Sequence, residues 1–160
     1  RPDQLASEAL GILNVAKVGA LMVLESGKPM EALPLLREAV AKTNSQPLIA
    51  SLFGHALIAT EDQANFAEAE TVLKASVTKD NENPFAWYQL GVVYDRGGDA
   101  ARAAMATAER YHLEGQPRLA LANAELAVRS LPQGSPDWIR AQDIAIVSRA
   151  AAEDEKRKRR

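Results

Sequence analysis

The sequence predicts an all-α fold, a right-handed superhelix of antiparallel helix pairs closed by a C-terminal capping helix. Three observations predict it. Apolar residues recur at helical spacing between short breaks such as Gly27-Lys28-Pro29, Gly97-Gly98-Asp99 and Gly115-Gln116-Pro117. Aromatic residues make up only 5% of the chain, too few for the bulky faces of a β-sandwich, while 47% of its 160 residues are apolar and suffice for a core. The helix-break-helix pattern also repeats along the chain, as expected of stacked helix hairpins.

At the front, Gln4 to Leu10 predicts a short helix and Leu13 to Ser26 the first full one. Beyond the Gly27-Lys28-Pro29 break, Ala32 and Ala39 take the small positions of a second helix, with Leu33, Leu35, Leu36 and Val40 in its buried stripe. Pro47 to Thr60 begins the next pair, and Ala69, Leu73 and Ser76 mark its second helix, which ends at Asn81 to Pro84. Between Thr60 and Ala67 the chain carries about three residues more than a repeat of about 34 allows, so a bulged turn is expected. The clearest unit is Asn83 to Asp99, with its first helix at Pro84 to Arg96, where Trp87, Leu90, Gly91 and Tyr94 reproduce the W-x2-L-G-x2-Y spacing of a tetratricopeptide first helix. Those offsets share one helical face, and Gly91 reads as the point where the neighbouring helix approaches closely.

Ala101 to Glu114 forms the next helix. Pro117 then opens another in its first turn, with Ala120, Ala127 and Pro132 fitting the second-helix signature. The helix at 101–114 thus serves as second helix to one pair and first helix to the next, a half-repeat slip. Ser135 as cap, Pro136 in the first turn, Asp137 at the positive dipole end, and Trp138, Ala141, Ile144 and Ala145 on one face define the closing helix. Such a lid is required because an internal repeat exposes apolar surface on both sides. The expected organisation is one helical domain over residues 1–152, with repeats at about 13–46, 47–83 and 84–116, the last overlapping 101–132. A capping helix follows at 136–152, and a charged tail at 153–160 in which any helix should fray.

Lysine and arginine number 19 against 21 acids, and five of the basic residues stand at Lys156 to Arg160, so the body before them is more acidic than the net charge of −2 suggests. That balance argues against a nucleic-acid surface, which needs basic side chains clustered on a folded face. No cysteine is present, which excludes disulfides and thiolate metal sites. No apolar run reaches the roughly 18 residues of a membrane span, so a soluble chain is expected. It opens with Arg1-Pro2 rather than methionine, as expected of a processed product or part of something longer.

Catalytic chemistry is not expected. The two histidines, His55 and His112, lie on different helices, whereas a zinc site needs three or four convergent ligands. His55 reads as a polar groove residue and His112 as a surface residue. No nucleophile elbow, phosphate-cradling loop or calcium-binding ladder appears. Gly98-Asp99 reads as a turn glycine followed by an N-cap. No catalytic residue, metal ligand or cofactor is predicted for this chain.

Binding is expected on the concave side, lined by the first helices. Inward positions project to Asn14, Lys17 and Leu21, then Ser51 and His55, then Phe85, Tyr88, Val92, Asp95 and Arg96. The predicted protein- or peptide-binding residues are Asn14, Lys17, Ser51, His55, Tyr88, Val92, Asp95 and Arg96, a set containing the tyrosine and arginine types that anchor interfaces. A tetratricopeptide carboxylate clamp needs five polar positions; here Lys17 matches one, while Leu21, Leu52, Phe85 and Gln89 occupy the rest. Recognition of an acidic C-terminal tail is therefore not expected.

From about Gly27 onward the chain resembles the C-terminal helical-repeat region of BepA-like periplasmic zinc metallopeptidases of the alphaproteobacterial kind. The resemblance is carried by Glu31-Ala32-Leu33-Pro34, Asn83-Pro84-Phe85-Ala86-Trp87, Gly98-Asp99 and Ala106-Thr107-Ala108-Glu109-Arg110. It is carried also by Leu131 to Trp138 and by Arg140-Ala141-Gln142-Asp143-Ile144. It implies a periplasmic parent with an N-terminal zinc peptidase domain, and a repeat region that docks substrates, outer-membrane assembly components or its own peptidase domain. The His-Glu-x-x-His motif is not in this sequence, so no catalytic or zinc-binding residue carries over. The alternative is a free-standing scaffold that assembles a protein complex.

Overall fold

A computed structural model describes the backbone of residues 1–159, with their side chains except those of Lys17, Ala20 and residues 21–24. Eight α-helices and no strand occur among the described residues. They fall into two compact units, Arg1–Asn81 and Glu82–Arg160.

The first unit contains α1 (Pro2–Leu24), α2 (Pro29–Lys42), α3 (Pro47–Ala59) and α4 (Phe66–Lys79). Consecutive helices pack together, and α1 also touches α3. Its core includes Ala16, Ala39 and Ile49, flanked by Ile12 and Val40. The two helices expected at the front are one: α1 runs through Gly11, whose missing side chain leaves open space and costs only about 1 kcal/mol of helix propensity. The surplus residues before α4 form a 3₁₀ turn, Gln63–Asn65, started by Asp62 accepting a hydrogen bond from the Ala64 amide. Glu61 reaches a φ of 58° there, so the bulge is built without glycine.

The second unit contains α5 (Pro84–Arg96), α6 (Ala100–Leu113), α7 (Pro117–Ser130) and α8 (Pro136–Lys158). Each helix packs on the next, and α6 also packs on α8. Ala108, Ala120, Ala124, Ile144 and Ala145 form a core against Tyr111 and Leu121. Alanine at so many contact points lets the helices close on one another with little side chain between them.

Proline at the first helical position opens α2, α3, α5, α7 and α8, where its fixed φ is already helical and its missing N–H was unpaired in any case. The predicted caps form. Asp99 accepts from the Arg102 amide and Ser135 from the Trp138 amide, and Asn83, which the sequence reading did not single out as a cap, accepts from the Phe85 and Ala86 amides. Gly98, at φ 78°, supplies the left-handed turn before Asp99.

The closing helix was expected to end near Ala152 and instead continues to Lys158. Apart from Asp154, residues 153–158 are strong helix formers; Asp154 lies 4.0 Å from Arg157 one turn on, and Glu155 approaches Arg118 of α7 at 3.9 Å. No helix of the described residues is long and apolar enough to cross a membrane.

Candidate functional site

Which helices act as first helices decides where a binding surface lies. In a helix-pair array, the first helices of successive pairs touch across the intervening second helix. In the first unit that relation joins α1 and α3; in the second it joins α6 and α8. The first-helix role in the second unit thus belongs to α6 and α8 rather than to α5, on which the sequence projection had placed Tyr88, Val92, Asp95 and Arg96.

A trough of about 600 Å³ lies between α6 and α8, lined by Glu109 and His112 on one side and by Pro136, Ile139, Arg140, Asp143, Ile144 and Val147 on the other. It adjoins a second hollow of about 380 Å³ that shares His112 and Val147 and continues along Ser148, Ala151, Asp154, Glu155 and Lys158 to the start of α7. Ile139 and Val147 are 49% and 53% exposed, so the trough offers aliphatic surface to solvent.

One wall is fixed by charge. Glu109 is almost fully buried and accepts from the Arg140 guanidinium at 2.5 Å, and the same guanidinium lies 5.1 Å from the centre of the Trp87 ring. A carboxylate buried this deeply needs its partner, because losing it would strand an uncompensated charge. Arg140 is therefore held against the wall. At the far end of α6, Arg102 donates to Asp137 at 3.1 Å and ties α6 to the first turn of α8. Near the floor, the Ser148 hydroxyl is buried without a hydrogen-bond partner among the described residues.

The predicted binding residues are distributed otherwise. Tyr88, Val92 and Asp95 do come together, in a separate groove of about 410 Å³ with Gly91 of α5, Ala100, Ala103, Ala104, Thr107 and Arg110 of α6, and Asn123 and Leu126 of α7. By helical geometry that groove lies on the face of α6 opposite Glu109 and His112. The Arg110 guanidinium sits between the Tyr88 and Tyr111 rings, 5.1 and 4.5 Å from their centres, and pairs with Glu114 at 3.1 Å. Arg96 is exposed at the end of α5 but does not line this groove.

In the first unit Asn14 is exposed on α1, His55 is half-buried on α3, and the Lys17 and Leu21 side chains fall outside the described residues. Ser51, expected on the binding face, is fully buried and donates to the Leu48 carbonyl at 2.8 Å. It sits on the core side of α3, among Ala50, Phe53 and Gly54, where a serine satisfies itself on its own helix. Ser51 is thus a packing residue.

The sequence projection missed Glu109, Ile139, Arg140, Asp143 and Val147. The half-repeat slip was the signal that could have found them: carried through, it makes α6 and α8 the first helices and turns these positions toward the trough.

Neither a protein-family model nor a curated protein matches the chain. Among solved structures it is similar to the crystal structure of MamA, with a TM-score of 0.61 and 19% identity over 98% of this chain and 86% of that one. At that identity the likeness establishes the fold alone, and the fold is tetratricopeptide-like.

Proposed function

We propose that this chain is a non-catalytic module that binds a protein or peptide through the trough between α6 and α8. The observation that carries this reading is the pair of half-exposed aliphatic side chains, Ile139 and Val147, set beside a salt bridge that holds its wall in place. Preformed apolar surface with a rigid polar edge is what an incoming side chain needs to gain burial without reorganising the site. A protein scaffold that assembles a complex fits these features directly. The tetratricopeptide-like fold is consistent with it.

The second reading is narrower: this region recruits substrates or partners for a periplasmic zinc metallopeptidase involved in outer-membrane protein quality control. Its support is the order of the segments from Glu31 to Ile144 that resemble such enzymes. The zinc and the catalytic groups would then belong to another part of the parent protein. Outer-membrane assembly components or the peptidase domain itself would be the partners. A parent gene lacking a signal sequence and His-Glu-x-x-His removes that reading and leaves the scaffold.

Selection of random displayed peptides on the immobilised chain tests the shared claim. Peptides that bind the wild type and lose at least about tenfold in affinity on Val147→Ser are expected, since an aliphatic contact is lost. Binders indifferent to Val147→Ser but lost on Tyr88→Ala would move the site to the α5–α6–α7 groove. No binder at all would overturn the proposal.

A further inference from the structure

The trough's charges say more about its occupant than its shape does, provided the trough is the binding surface proposed above. On α8, Ile139, Asp143, Ile146 and Val147 follow one another at i, i+4, i+7 and i+8, so an acid stands between aliphatic residues on a single helical stripe. Asp143 is exposed and makes no ion pair or hydrogen bond among the described residues. The cation nearest in sequence, Arg140, donates from one guanidinium nitrogen to the buried Glu109 and lies against the Trp87 face, so its charge is already offset by an acid of the protein itself. Further along, Asp154 and Glu155 add acids whose pairs are long, at 4.0 and 3.9 Å, and are exposed. Lys158 is the free cation at that end of the trough among its described lining residues.

We infer that the trough takes a basic, aliphatic polypeptide segment, with a lysine or arginine facing Asp143 between side chains that pack on Ile139 and Val147. An acidic segment would meet Asp143, which no described cation offsets, and the weakly paired Asp154 and Glu155, with Lys158 as the one free cation among the described lining residues at that end. The charge preference is thus the reverse of a carboxylate clamp, whose lysines and arginines grip an acidic tail. The chain's own basic run at Lys156 to Arg160 carries the matching charge but no aliphatic residue, so a second copy's tail meets only half of the requirement.

The test uses the full chain and three fluorescein-labelled peptides of about twelve residues. They share the same leucines and differ only in carrying lysine, glutamine or glutamate between them, and binding is read by fluorescence anisotropy. The lysine peptide is expected to bind about tenfold more tightly than the glutamate peptide at low salt, with the gap narrowing as ionic strength rises. Asp143→Asn should weaken the lysine peptide about threefold and leave the glutamine peptide unchanged. Val147→Ser should weaken all three. Both positions are exposed, and circular dichroism checks that the variants keep their helices.

If the peptides bind and respond to Val147→Ser but show no charge preference, the basic-partner inference falls while the trough survives. Equal or tighter binding of the glutamate peptide overturns the inference outright. Binding by none of the three, or self-association that a chain lacking residues 156–160 abolishes while the lysine peptide fails to compete, overturns it together with the external-partner reading.

Discussion

Gly54 and Gly91 both stand in the middle of helices, yet a methyl group added to each meets different surroundings. At Gly54 the new carbon would lie 2.5 Å from Cγ of Leu73, which is fully buried and has no room to withdraw. At Gly91 the nearest atoms are Thr107 Oγ1 at 3.5 Å and Ala106 Cβ at 3.6 Å, ordinary van der Waals contacts. Gly54→Ala should therefore destabilise the protein by about 1–3 kcal/mol through overpacking, more than the gain of about 1 kcal/mol in helix propensity. Gly91→Ala should stabilise it by about 0.5–1 kcal/mol, and urea unfolding of the two variants measures both signs. A loss at Gly91 comparable to that at Gly54 would show that α5 and α6 are closer than described. The repeat signature marked Gly91, where the α6 backbone does come near, with the Ala103 carbonyl oxygen 3.8 Å from the added carbon, but it could not show that the tighter fit is at Gly54, where a leucine side chain fills the space. Ser51 misled for a similar reason, since a hydroxyl on a mostly apolar helix reads as a groove residue until its own-helix hydrogen bond is seen.

At the scale of elements, the helix starts at Pro29, Pro47, Pro84, Pro117 and Pro136 were readable because a proline after a turn has one favourable helical position. The start of the first helix and the end of the last were not. The residues before Leu13 read as a separate short helix, and the charged end looked too polar to stay helical, because neither reading knew what the backbone there would touch. Contacts between helices distant in sequence were equally invisible. Arg37 of α2 reaches Glu68 of α4 through two hydrogen bonds, at 3.0 and 2.9 Å. The hydrogen bond from Arg37, seconded by its charge, holds the Glu68 carboxyl below its ordinary range. A carboxyl with a lowered folded-state pKa contributes stability in full above its unfolded value and loses it as pH falls through the folded one. Arg37 is itself pushed upward by the same hydrogen bond and stays charged throughout that window. Both groups are partly exposed, so the contribution is well under about 1 kcal/mol. Glu68→Gln should accordingly lower the thermal midpoint by a degree or two at pH 7. That difference should shrink as pH falls below the ordinary carboxyl range and through the lowered folded-state pKa. A difference that stays constant as the carboxyl protonates would mean the pair is absent in solution.

For the whole molecule, the repeat reading drew one continuous array because nothing in the residues around Asn81 and Glu82 distinguishes that junction from any other inter-helix turn. The structure divides there into two units, and the second contains its own alanine-rich core, its own caps and every residue lining the α6–α8 trough. The chain's two tryptophans, Trp87 and Trp138, also belong to it, the first buried and the second donating its indole N–H to the Val128 carbonyl at 3.1 Å. A fragment spanning residues 82–160 is small, in the range where a single core is only marginally sufficient. Three of its helices, α5, α6 and α8, nonetheless begin with capped turns, α7 begins with a proline, and α8 covers the apolar sides of α6 and α7 with Ala141, Ile144 and Ala145. The fragment should therefore fold alone, giving a helical spectrum, blue-shifted tryptophan emission and one cooperative urea transition followed by both probes. Removing residues 136–160 from it should abolish that transition, because the core positions of α6 and α7 would then face water. Emission at the unfolded wavelength from the intact fragment would show that the second unit depends on residues before Glu82. A folded fragment that binds the lysine peptide within about twofold of the full chain would place the whole binding surface in these four helices.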